Sequence, residues 1–181
     1  DFDNDGKADL VGLNRAGLIY YTTNLSTWNQ VPGTLSCLVV GDFNGDGKDD
    51  LAGLNASGQI FYTTNLANWN PVPGTIQKLA TGDFNSDGKD DLTGLNSAGF
   101  IYYTTNLSSW TQVPGSMDSL VIGDFNKDGA DDLSGLNAQG HIYYTTNLCS
   151  WTQIPGTLEH LLSTDLNGDG AVQENEYVFE D

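Results

Sequence analysis

Apolar residues along this chain come in short runs separated by Gly, Asn and Asp, and the same pattern keeps returning. In one stretch the runs fall at residues 38–40, 51–54, 59–64 and 69–72. Short apolar runs bounded by such breakers read as β-strands. Asn55-Ala56-Ser57-Gly58, between the second and third runs, reads as a hairpin turn. The interval of return is 41 residues: Trp28, Trp69, Trp110 and Trp151 obey it, as do Asp1, Asp42, Asp83, Asp124 and Asp165. Four units result, 1–41, 42–82, 83–123 and 124–164. A short piece, 165–181, repeats only an acidic loop and then diverges.

A period near 41 suits two architectures, helical pairs of about 40–47 residues or propeller blades of about 40–45. Each unit carries several Gly and a Val-Pro-Gly or Ile-Pro-Gly, which would break helices of that length. The expectation is therefore all-β: a small β-propeller of four-stranded blades, one blade per repeat, at the low end of the known range of about 4–8 blades.

Charge narrows the partners. With 24 acidic and 6 basic residues the formal net charge is -18, which makes nucleic acid and anionic membrane surfaces poor partners; no nucleic-acid partner is expected. Disorder, the usual companion of such acidity, is opposed by 4 Trp, 8 Tyr and 7 Phe and by the regular spacing of the acids. No apolar run reaches the roughly 18 residues of a membrane span, so no membrane insertion is expected. No signal peptide is present, and the chain opens directly on the ligand-like Asp1, which suggests that a segment ahead of it has been removed.

The acids concentrate in loops. Calcium takes about six to eight oxygens. A short loop supplies them from side chains at positions 1, 3, 5 and 9 and from the carbonyl at 7, with Gly at 6 permitting the bend. The first loop has Asp1, Asp3, Asp5, Lys7 and Asp9; the second Asp42, Asn44, Asp46, Lys48 and Asp50. The third has Asp83, Asn85, Asp87, Lys89 and Asp91; the fourth Asp124, Asn126, Asp128, Ala130 and Asp132. Lys at position 7 fits carbonyl ligation, because its side chain can turn to water. The fifth loop has Asp165, Asn167, Asp169, Ala171, Gln173 and Glu176. Its Glu stands at position 12, where an EF-hand loop places a bidentate carboxylate. Five loops in register imply about five Ca²⁺, and oxygen-only donors argue against zinc or copper. An Asn/Asp/Gly turn without metal is the plainer alternative for any single loop.

These loops, set between blade strands, resemble the FG-GAP/VCBS repeats of the integrin alpha-chain propeller and of calcium-bearing propeller lectins. The resemblance covers residues 1–164. It implies calcium ligation at the loop positions named above, and a role in adhesion or glycan binding outside cells. The 41-residue unit is shorter than usual for that family, and the last loop has EF-hand spacing.

Other residues are read more plainly. Trp28, Trp69, Trp110 and Trp151 either pack between blades or stack on sugar rings. Asn24, Asn55 and Asn106 head glycosylation sequons; Asn65 and Asn147 share the repeat position of Asn24 without a standard sequon, which marks that Asn as a turn residue. His141 and His160 are unrelated in the repeat, and no nucleophile–base set is suggested, so catalysis is not expected. The partner is then a carbohydrate or an extracellular protein surface. The alternatives are a structural spacer, a homo-oligomer or surface-fibre subunit, or an accessory module of a secreted enzyme. Cys37 and Cys149, in the first and fourth units, would be neighbours in a closed ring of four. A disulfide between them is expected across that seam, with residues 157–164 supplying the strand missing ahead of Asp1. Two free thiols, or a strand from elsewhere, are the rivals.

Overall fold

Strands form where apolar residues alternate between the two faces of a pleat, and they end where Gly, Asn and Asp turn the chain. The computed structural model describes residues 1–162. Its strands are β1 (Leu10–Leu13), β2 (Leu18–Thr22), β3 (Asn29–Thr34), β4 (Cys37–Gly41), β5 (Asp50–Leu54), β6 (Gln59–Thr63), β7 (Asn70–Thr75) and β8 (Lys78–Gly82). There follow β9 (Asp91–Leu95), β10 (Phe100–Thr104), β11 (Thr111–Ser116), β12 (Ser119–Gly123), β13 (Asp132–Leu136), β14 (His141–Thr145) and β15 (Thr152–Thr157). They build one three-stranded sheet, β1-β2-β3, and three four-stranded sheets, β4 to β7, β8 to β11 and β12 to β15, all antiparallel meanders. There is no helix among the described residues. The fold is the all-β, propeller-type stack of blades that the repeat predicts.

Each blade takes its innermost strand from the end of one sequence unit and its other three from the next. β4 packs beside β8, and β8 beside β12, so these strands face the axis. Among the described residues blade one lacks such a strand. At the far side of each blade the outermost strand runs through the Pro-Gly pair, to Thr75 in β7, whereas the sequence suggested an end at Val72. An outermost strand tolerates Pro because its N–H side faces solvent. A register shift between Gln59 and Ile60 takes up Gly74, at φ 105°.

The core lies in the seams between blades. Leu51 of β5 is fully buried among Phe2, Ile19, Val31 and Leu35 of blade one. Leu92 of β9 enters the core of blade two and Leu133 of β13 that of blade three.

Two expectations are corrected here. Among the described residues the blades do not close on themselves: Trp28 is 55% exposed, and a side chain at Gly156 would meet nothing within 4 Å. Residues 158–162 form no strand, although Leu161 packs into the core of blade four; residues 163 and 164 of the proposed closing strand lie outside the described residues. Cys37 and Cys149 are free thiols. Cys37 opens β4, at the hairpin end of its blade, whereas Cys149 sits in the exposed β14–β15 connection. In a four-strand meander that connection lies at the opposite end, beside the acidic loops, so the two sulfurs cannot meet.

Candidate functional site

The acidic loops join each innermost strand to the next, at the end of the blade away from the hairpins. Their first aspartate organises the backbone. Asp42 Oδ1 accepts hydrogen bonds from the amides of Gly45 at 2.7 Å and Asp46 at 3.2 Å, and Oδ2 accepts one from Gly47 at 2.8 Å. Asp1, Asp83 and Asp124 do the same for Gly6, Gly88 and Gly129. Gly at position 6 is required because φ there is +78° to +90°, the left-handed region. At positions 3 and 5, the Asn44 side-chain Nδ2 donates to Asp46 Oδ2 at 3.0 Å, a pairing repeated by Asn85 with Asp87 and Asn126 with Asp128. At position 7 the amides of Lys48, Lys89 and Ala130 donate to the position-5 carboxylates. Lys7 also lays its ammonium on Asp5, where the sequence suggested a side chain turned to water. That contact raises the Lys7 pKa and lowers that of Asp5.

In the second, third and fourth loops position 9 is the buried member. Asp50, Asp91 and Asp132 are 3–4% exposed. The carboxylates accept amide hydrogen bonds from Phe43 and Phe84 at 3.1 Å and from Phe125 at 3.0 Å, and Asp132 is also bonded by the Asn126 backbone. Desolvation, helped by the other acids of the loop, raises each pKa to about 7. The first loop brings Asp1, Asp3 and Asp9 together, with one carboxylate oxygen of each lying within 4.8 Å of the others. These residues fit a hard cation such as Ca²⁺: the donors are all oxygen, negative charge converges, and the carboxylates stand close enough to share one ion. The residues of the fifth loop, Asp165, Asn167, Asp169, Ala171, Gln173 and Glu176, lie outside the described residues.

Position 8 escaped the sequence reading. Asp90 donates its amide to the Asp42 carbonyl at 2.8 Å, while its Oδ2 accepts the Asp42 amide at 2.7 Å. Asp131 grips Asp83 identically, at 2.7 and 2.8 Å; Asp49 bonds Asp1 in the same pattern. Each loop is thus clamped to the loop of the preceding blade. The signal was present as an Asp pair closing the second, third and fourth loops, where the first has Ala8.

Three of the four tryptophans belong to the same seams. Trp69, Trp110 and Trp151 donate Nε1–H to the carbonyls of Pro32, Pro73 and Pro114 at 2.6–2.7 Å. An indole has one donor, so these three present no free N–H to a ligand. The sequon asparagines hold turns. Asn24 Oδ1 accepts the amides of Ser26 and Thr27, and Asn106 those of Ser108 and Ser109. Asn55 does so for Ser57 and Gln59.

Compared with known families, residues 4–180 match the tectonin domain. The chain belongs to the tectonin-domain family. This corrects the resemblance to FG-GAP/VCBS repeats. A short acidic loop is a local solution that unrelated scaffolds can carry, whereas the tectonin match spans nearly the whole chain. Among solved structures, this tectonin domain is similar to BBS1N in complex with ARL6DN, in crystals soaked with mercury and with lead. The identities are 16% and 14%, with a TM-score of 0.62 for each. At that identity the likeness speaks for the fold alone. The matches cover 91% and 88% of this chain, which spans about half the length of those chains, 55% and 56%. No curated protein sequence matches this tectonin domain.

Proposed function

We propose that this tectonin domain is a non-catalytic, calcium-stabilised binding module that works outside cells. The observation that carries this reading is the convergence of Asp1, Asp3 and Asp9 in the first loop; the sequence pattern of that loop recurs in the other blades, although among the described residues no other loop brings three acids together in this way. Bound calcium would neutralise carboxylates that otherwise repel one another, and millimolar extracellular calcium would fill sites of modest affinity. The residues themselves hold the loop in shape, through the position-1 carboxylate and the position-8 clamp, so the ion enters a nearly formed cage.

The ligand face would lie at the opposite, hairpin end. A groove of about 550 Å³ there runs between blades two and three, lined by Ser36, Asn55, Ser57, Gln77 and Asn96. A second, of about 790 Å³, is lined by Lys78, Ser119, Asn137 and Gln139 among others. Amide and hydroxyl linings suit a hydroxyl-rich ligand such as a glycan. Calorimetric titration of the metal-free chain with CaCl₂ tests the first part, and no binding heat at millimolar calcium would sink it. A glycan array read with and without calcium tests the second; an empty array in calcium leaves adhesion to a protein surface as the better reading.

A further inference from the structure

Three internal seams define what covers a blade, and the two outer blades each carry half of a fourth. At every internal seam the leading blade supplies two leucines and a tryptophan. Leu51, Leu66 and Trp69 pack on the core of blade one. Leu92, Leu107 and Trp110 pack on blade two, and Leu133, Leu148 and Trp151 on blade three. The same repeat positions in blade one are Leu10, Leu25 and Trp28, which are 52%, 69% and 55% exposed. They make up three of the five exposed large hydrophobic residues among those described. Leu13, Tyr20 and Trp28 line an apolar cavity of about 440 Å³ on this face.

Blade four presents the other half. Val31, Val72 and Val113 are at most 3% exposed beneath the next blade, but their equivalent Ile154 is only half-buried. Gly33, Gly74 and Gly115 each have a tryptophan Nε1 within 3.5 Å of where a side chain would begin; Gly156 has nothing. Along the sequence, the next repeat equivalent of Leu10 is Glu174, so residues 165–181 do not repeat the leucine that fills this position elsewhere.

A third half-contact lies on β1. Gly53, Gly94 and Gly135 face the carbonyls of Cys37, Lys78 and Ser119 on their innermost strands, and an added Cβ would lie 2.2–2.4 Å from those oxygens. Gly12, at the same position, meets nothing within 4 Å. The innermost strand that would lie there corresponds by repeat to Cys37–Gly41, whose first three positions recur at the far end of the chain as residues 160–162. There Leu161 is buried as Leu79 is, and Leu162 is 62% exposed.

We propose that a second copy of this chain docks head to tail on these surfaces. Leu10, Leu25 and Trp28 of one copy cover Ile154, Pro155 and Gly156 of the other, and residues 160–162 of the latter line the free edge of β1. The occupant follows from continuity with the internal seams: the two leucines and tryptophan of the leading blade, and the Val or Ile and the Gly of the trailing blade, are all present on the two open faces. One element is not duplicated: Ala8 replaces the clamping aspartate, so this seam is weaker than the internal ones and reversible. Two copies joined at both seams make eight blades, within the range of closed propellers.

The test is sedimentation or light scattering of the full chain in calcium over a concentration series. Wild type should reach at least twice the monomer mass. Leu10→Asp, Ile154→Asp and Gly12→Ala should each remain monomeric with unchanged far-ultraviolet circular dichroism. An equimolar mixture of Leu10→Asp with Ile154→Asp should associate again, because it recreates one wild-type seam. Gly12→Ala keeps the test sound should either aspartate variant fail to fold, since its methyl enters open space in the single chain. A wild type monomeric at every soluble concentration overturns the proposal, and would mean that the chain's own residues after 162, or something other than a second copy, cover the faces. Assembly that survives the substitutions, or a mixture that stays monomeric, overturns it equally.

Discussion

At the scale of single residues, the same amino acid at the same repeat position does different work according to whether a blade stands in front of it. Leu92 is fully buried in the core of blade two, so Leu92→Ala should cost about 2–5 kcal/mol in urea unfolding. Trp69→Phe keeps the ring in the seam but loses the hydrogen bond to Pro32. It should cost about 0.5–1.5 kcal/mol, plus a smaller packing change. The buried aspartates give a sign-definite pH dependence. Asp50, Asp91 and Asp132 have folded-state pKa values raised to about 7, so between the ordinary carboxylate pKa and about 7 the folded chain binds more protons than the unfolded one. Stability of the metal-free chain should therefore fall as pH rises from about 4 to about 7, and level off above. A urea midpoint in metal-free buffer that is higher at about pH 8 than at about pH 5 would contradict this.

At the scale of strands, glycine decides how closely the innermost pair can approach. A methyl on Gly94 would sit 2.2 Å from the Lys78 carbonyl and 2.5 Å from Ile76 Cδ1. Gly94→Ala should force β8 and β9 apart and cost about 1–3 kcal/mol. Gly12→Ala, measured where the chain is monomeric, should stay within about 0.5 kcal/mol of wild type. Equal effects at the two sites would mean that β1 already has a strand along its free edge. The outermost strands tell the complementary story: Pro71 and Pro73 sit within β7, acceptable there because no further strand needs their missing N–H.

At the scale of the molecule, stability accumulates seam by seam, as in other repeat proteins in which each unit touches only its neighbours. Calcium would add to every loop at once. If the loops bind as proposed, removing calcium should lower the melting temperature by several degrees or more, because a ligand at about 100 times its Kd contributes about 2.7 kcal/mol per site. Magnesium at the same concentration should restore little of the loss, since it favours a smaller, octahedral and partly hydrated site. A melting curve indifferent to chelator would remove the metal from the account and leave the loops as hydrogen-bonded turns.

Much of this was legible in the chain itself. The strands, the hairpin at Asn55, the 41-residue period and the left-handed Gly of each acidic loop all depend on residues adjacent in sequence, where alternation and backbone sterics act. What the chain could not disclose by inspection concerns residues far apart. Asp90 grips Asp42 across 48 positions, and Trp69 reaches Pro32 across 37; a second aspartate in a loop and one tryptophan per repeat look the same whether they bind a ligand or the next blade. Cys37 and Cys149 looked like neighbours because a sequence shows which blade a residue occupies more readily than which end of it. The family, too, was misjudged from the loops, since a short local solution to a tight acidic turn carries less information than the whole repeat. Which faces stay open was visible only in three dimensions: side chains far apart in sequence meet in the internal seams, and among the described residues nothing meets Trp28 and Gly156 at the two ends of the stack in the same way.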